Sequence, residues 1–149
     1  MPGYGMMFQK NKKFLSLTWA IDHFSKARNY FLSTTRSDGR SHVMPVWGVL
    51  LDRAFYFSTG RLSRKSRNLS LNPHCVVCPE NASSAVILEG TAKEVGERSL
   101  RGRFVAAYKK KYDWDMSDTT EPIYEVQPRV IFGIAENAEA NPTRWRFKS

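Results

Sequence analysis

Arg61, Arg64, Lys65 and Arg67 crowd one short stretch of this chain, residues 54–73, which reads AFYFSTGRLSRKSRNLSLNP. Ser63 has the side chain of a helix N-cap. The pattern predicts a helix over residues 64–71, stopped by Asn72 and Pro73. A helix N-terminus already carries partial positive charge, so cations gathered there repel the dipole and one another. A structural role alone explains them poorly. An anion held by the free backbone N–H groups and by these side chains would offset the repulsion, and phosphate is the expected ligand. A solvated basic face is the alternative.

The other reactive side chains point elsewhere. Cys75 and Cys78 form a C-x-x-C in HCVVC, and they are the only cysteines of the chain. Metal and redox uses of that spacing need a turn or a helix N-terminus to bring both sulfurs together. Here the pair spans a strand-like run, so the side chains are expected on opposite faces as buried free thiols. His23, His42 and His74 are scattered, and no Ser/His/Asp set is suggested by spacing. No metal site is expected. Trp47 could stack on a ring or substrate, although a tryptophan on a buried strand is more often core.

The elements that must position these residues are those of one small domain. With 149 residues, the chain is long enough to bury about two thirds of its extended surface. Residues 14–149 are expected to form a single domain behind a mobile N-terminus, residues 1–13, which holds lysines but no apolar core of a signal peptide. No apolar run approaches the ~20 residues of a membrane span, and a cytoplasmic location is expected. The net charge of +9 is spread over several clusters, which weakens the case for a nucleic-acid partner.

Helical spacing of Leu17, Ile21 and Phe24 behind Ser16 predicts a helix over residues 16–27. Residues 30–35 read as a strand, then an Asp-Gly turn, then a second strand over residues 41–51. Its apolar residues fall on both faces, so it is expected to be central and buried, with Pro45 and Gly48 as anomalies. Gly48 would permit close approach of another backbone or a ligand. Strands follow at residues 54–59, 74–79 and 85–95, the last with Val86, Leu88, Gly90 and Ala92 on one face and Glu89, Thr91 and Lys93 on the other. Leu100, Phe104, Tyr108 and Tyr112 give a core-packing stripe on a helix over residues 97–112. Residues 123–135 make one or two strands interrupted at Pro128, and residues 143–147 alternate as a last short strand. Six or seven strands in meander order with two or three helices predict a mainly β (α+β) fold, a small antiparallel barrel.

RSDGRSHVMPVWGV, FYFSTG, SRKSRNLSLNP and the terminal TRWRF together resemble the pyridoxamine 5′-phosphate oxidase-like flavin-binding family. The resemblance is close over residues 29–72 and looser beyond. It implies a split β-barrel that forms a homodimer, with FMN at the subunit interface and an oxidoreductase activity on a small-molecule substrate. Carried over, Arg64 and Lys65 hold the cofactor phosphate, with Ser63 and Asn68 on the same helix. His42, Val43, Met44, Pro45, Val46 and Trp47 lie along the isoalloxazine ring, where His42 could donate a proton, a plain structural histidine being the alternative. Ser58 and Thr59 meet the phosphate or ribityl chain, and Trp145 and Arg146 complete the site of the partner subunit. Two departures argue against oxidation of pyridoxamine phosphate itself. Ser41 stands where the oxidase has a phosphate-binding arginine, and the oxidase's C-terminal substrate-gripping segment is not found. The resemblance extends to users of the deazaflavin coenzyme F-420, whose acidic tail Lys109, Lys110 and Lys111 could meet, and to non-catalytic flavin or haem binders. A single-strand nucleic-acid-binding barrel is the competing class, and the buried look of the strand carrying Tyr56 argues against it.

Overall fold

The Asp-Gly turn forms as its residue types require. Gly39 has φ +88°, the left-handed conformation that glycine adopts without strain, and its N–H donates to Arg36 O at 2.9 Å. The computed structural model describes residues 10–137 and 140–148. Residues 1–9, most of the expected mobile N-terminus, lie outside them. The described part of that segment is tied down, since Asn141 donates its N–H to Lys13 O at 2.8 Å and its side-chain amide to Lys12 O at 3.0 Å.

In chain order the elements are α1 (Leu17–Ser25), β1 (Tyr30–Thr35), β2 (Ser41–Val46), β3 (Val49–Leu51), β4 (Ala54–Ser58), α2 (Arg64–Leu71), β5 (His74–Pro79), β6 (Ala85–Glu94), α3 (Arg98–Tyr112), β7 (Ile123–Ile134) and β8 (Thr143–Arg146). The described residues thus hold eight strands, against the six or seven expected, and three helices. Ser16 and Ser63 cap α1 and α2, their hydroxyls accepting from Trp19 N–H and Ser66 N–H. All strand pairs are antiparallel, in the order β2-β1-β5-β6-β7-β4-β3, with β8 beside β7.

That order corrects the expectation of one central strand over residues 41–51. The stretch is two strands, β2 and β3, at opposite ends of the sheet, and Val43 and Met44 are 57% and 43% exposed. Trp47 and Gly48 turn the corner between them. Pro45 has no N–H for a second partner strand, so it suits an edge. A Cβ on Gly48 would overlap the Phe55 ring and come within 2.8 Å of Tyr56 O, so the corner needs glycine. Because the two ends of the sheet are consecutive in the chain, the sheet wraps towards itself and stays open along one seam. It is a split barrel.

β7 is the hub. One edge pairs with β6; the other pairs first with β4 and then with β8. The β6–β7 register shifts at Glu89/Gly90 opposite Pro128, so the proline sits at a bulge in one continuous strand. Inside the barrel, Tyr30, Leu32, Phe55, Phe57, Val77, Leu88 and Ile131 pack beneath Ala20 and Phe24 of α1. On the other side of β4, Ala54 and Tyr56 pack with Phe104, Tyr108 and Tyr112 of α3, the stripe expected to be core. Buried on both faces, β4 fixes the residues that follow it.

Candidate functional site

At the seam, where β2 and β4 both end, lies a cleft of about 440 Å3. β2 and its corner contribute Pro45, Val46 and Trp47, while the end of β4 contributes Ser58 and Thr59. Lys65 enters from α2, Asn29 from the segment before β1, and Tyr108 from α3. The cleft has two chemically distinct ends.

The cationic end is the start of α2. Ser63 Oγ accepts from Ser66 N–H at 3.2 Å and Ser63 O accepts from Arg67 N–H at 3.1 Å. A helix leaves its first four N–H groups without intrahelical partners. The N–H groups of Arg64 and Lys65 therefore stay free among the described residues. Arg61 is compensated by an ion pair with Glu94 at 2.7 Å. Arg64, Lys65 and Arg67 have no carboxylate partner among the described residues. Thr59 Oγ1–H donates to Ser63 Oγ at 3.2 Å and Ser58 Oγ–H to Pro122 O at 2.9 Å, so both residues are fixed where strand gives way to helix.

The apolar end is the Trp47–Gly48 corner, which the last turn of α3 clamps. Trp47 stacks on Tyr112 at 4.6 Å, nearly parallel, and its Nε1–H donates to Asn29 Oδ1 at 2.9 Å. Gly48 N–H donates to the Tyr112 hydroxyl at 2.9 Å. Lys111 Nζ donates to Gly48 O at 3.0 Å, Ser25 O at 3.2 Å and Tyr30 Oη at 2.8 Å. Trp47 is thus held in the cleft wall.

Burial pushes the Lys111 ammonium down to about 8. Its folded value lies below the ~10.4 of a free lysine, so between those values the unfolded chain binds more protons. The buried charge costs stability below about pH 8, and the cost is relieved as pH rises towards 10. Denaturant midpoints at about pH 7.5 and about pH 9.5 test this: stability measured against Lys111→Met should rise with pH. A flat or falling difference would contradict it.

The structure brings together Pro45, Val46, Trp47, Ser58, Thr59 and Lys65, all of them sequence candidates. Arg64 is exposed beside them on the first turn of α2, and the Ser63 hydroxyl is engaged in capping. Val43 is exposed on the outer face of the sheet, and Met44 is exposed too, so neither joins the cleft lining. Asn68 is turned inward, 1% exposed, with its amide donating to Thr34 Oγ1 at 2.9 Å. His42 lies beside the basic side chains of α2. Trp145 pairs with the buried Ile131 and packs on the core, whereas Arg144 and Arg146 point to the outer face. Cys75 and Cys78 are free, and burial raises both thiols. No metal-ligand cluster occurs among the described residues, and no described helix is long and apolar enough to cross a membrane.

Asn29, Tyr108 and Tyr112 escaped the sequence reading as parts of this site, and Lys111, expected there only as a contact for a deazaflavin's acidic tail, turns inward onto Gly48 O. The two tyrosines sit on the stripe that does pack as core, and nothing in their spacing marks the edge of that core as a wall. Asn29 precedes a strand with no motif around it.

The sequence pattern of the pyridoxamine 5′-phosphate oxidase family matches residues 17–136. No curated protein matches the chain significantly. Among solved structures, the protein Rv2991 from Mycobacterium tuberculosis is similar with a TM-score of 0.75 and 19% identity over 87% of this chain and 91% of that one. The General Stress Protein 26 from Bacillus anthracis gives 0.70 and 22%, covering 89% and 100%. An FAD-binding protein from Mesorhizobium loti gives 0.66 and 18%, covering 80% and 94%. These likenesses establish a shared fold. The chain belongs to the pyridoxamine 5′-phosphate oxidase family.

Proposed function

We propose that this protein binds FMN in the seam cleft, works as a homodimer, and is an FMN-dependent oxidoreductase. The observation that carries the reading is the polarity of the cleft. Free N–H groups and unpaired cations form one end, and Pro45, Val46 and Trp47 wall the other. A flavin mononucleotide has the same polarity, and the volume falls within the roughly 300–1,000 Å3 of small-molecule sites. Arg64, Lys65 and the first N–H groups of α2 would hold the phosphate. Ser58 and Thr59 would face the ribityl chain, and Trp47 and Val46 would shield the ring from water. The flavin supplies the hydride or electron transfer when bound. The chain supplies position and charge.

The homodimer is supported by the outer face of β1, β2 and β5, where Phe31, Val43, Pro45, Val76 and Cys78 share one side by register. Phe31 is 43% exposed there. A second copy would cover this surface and bring Arg144 and Arg146 towards a neighbouring cleft. For the deazaflavin coenzyme F-420, the lysine run offers little. Lys109 pairs with Asp113 at 3.4 Å and Lys111 is turned inward, leaving Lys110 to meet an acidic tail. That favours FMN.

Separate titrations with FMN and coenzyme F-420, followed by fluorescence, test the reading, with sedimentation for the oligomer. FMN should bind at micromolar concentration, more tightly than the deazaflavin, to a dimer. Failure of FMN to bind at about 100 μM, an affinity weaker than ~5.5 kcal/mol, would remove it.

A further inference from the structure

We propose that His42 is part of the phosphate end of the cleft, accepting a proton from solvent when a phosphomonoester dianion seats against Lys65 and the start of α2. This rests on the FMN reading and reassigns the residue, which the resemblance puts along the ring as a proton donor.

The chain of contacts is short. Lys65 and Asn68 are three residues apart in α2 and so share a face. Asn68 donates to Thr34 Oγ1 at 2.9 Å, and Thr34 stands directly opposite His42 in the β1–β2 pair. Opposite residues in such a pair have Cβ atoms about 5 Å apart. His42 is therefore placed beside the helix face that carries Lys65.

Its Nδ1 is the buried side-chain nitrogen or oxygen without a hydrogen-bond partner among the described residues. Buried polar atoms are rarely left unpaired, and an exception calls for an explanation such as a missing ligand. The charges that bear on the ring are Arg36, just past β1, and Lys65 and Arg64 on α2, all positive. Burial first, and then these cations, push the imidazole below its usual range, so the free protein holds it neutral. An arriving dianion reverses the sign of that field. The imidazolium then becomes a further donor to the phosphate, at a site where Ser41 supplies no guanidinium.

Two measurements test this. The first is calorimetric titration with FMN and with riboflavin near neutral pH, in buffers of different ionisation enthalpy, on the wild type and His42→Gln. FMN binding to the wild type should take up a fraction of a proton more than binding to the variant, and riboflavin should show no such difference. The subtraction removes any proton that the FMN phosphate itself gains or loses. The second is NMR titration of His42 with and without inorganic phosphate, which should raise the pH at which the ring protonates. If FMN binds both proteins with the same proton balance, His42 is not a phosphate ligand and the cofactor reading survives. If no flavin binds, the cofactor reading fails and the phosphate titration decides for His42. A ring unmoved by phosphate overturns the inference.

Discussion

Replacing Arg64 and Lys65 together by glutamate is expected to lower FMN affinity by on the order of 1,000-fold or more without unfolding the protein. Each hydrogen bond to a charged group contributes about 1.5–3 kcal/mol, and the two replacements also bring like charges against a phosphate. The fold should tolerate them. Arg64 is exposed, Lys65 lines open space, and neither has an ion-pair partner among the described residues. The helix itself gains from acidic residues in its first turn, by about 0.3–1 kcal/mol each. A solvated basic face and an anion site therefore make opposite forecasts from one variant. The former predicts slightly higher stability with nothing else changed; the latter predicts the same stability gain with binding lost. FMN titration beside a thermal melt reads both. Affinity within threefold of wild type would exclude the phosphate assignment.

Gly48→Ala should give the largest stability loss of any conservative change near the site, about 3 kcal/mol by the scale of overpacked cores. For a chain of this size that corresponds to roughly 6–12 °C in Tm. The new methyl meets the ring of Phe55, which is 0% exposed, and a backbone oxygen 2.8 Å away. Neither can withdraw cheaply, because Phe55 is paired on both sides, with Leu50 of β3 and Val126 of β7, and that oxygen belongs to the next residue of the same strand. Gly102→Ala is the control. A Cβ there meets nothing within 4 Å, and alanine within a helix is worth up to about 1 kcal/mol over glycine. A melt in which both variants behave alike would show that the corner is less tightly closed than its geometry implies.

The features that proved legible in the sequence are those governed by neighbours along the chain. Ser63 before a basic run, Asp38-Gly39 between apolar runs, and the alternation of Val86, Leu88, Gly90 and Ala92 all act within a few residues. They produced the cap, the turn and the buried face of β6. The stretch over residues 41–51 misled because its apolar residues answer to different partners. Val46 and Val49 face two separate cores, while Val43 stays on the outer face. Continuous hydrophobicity looks the same in a central strand and in two edge strands that meet at a corner. Trp145 and Asn68 follow a related rule. A motif fixes which residue occurs at a position and leaves open which way its side chain turns, and here both turn towards the core. The inward turn of Lys111 was unreadable because its three acceptors come from three distant places in the chain, Ser25, Tyr30 and Gly48.

The hub position of β7 also bears on when the protein becomes competent during its synthesis. Apart from the three-residue β3, the strand carrying Tyr56 and Ser58 has only β7 as a neighbour, and Tyr56 hydrogen-bonds to Glu125, 69 residues further on. Closing so long a loop must precede any reward from the contact, which delays it relative to the hairpins. A chain still emerging from the ribosome can form the β1–β2 hairpin and α2 early. Its basic helix and its Trp47–Gly48 corner cannot come into register until the segment around Ile123–Ile134 has left the exit tunnel. The seam cleft is then completed among the last events of folding.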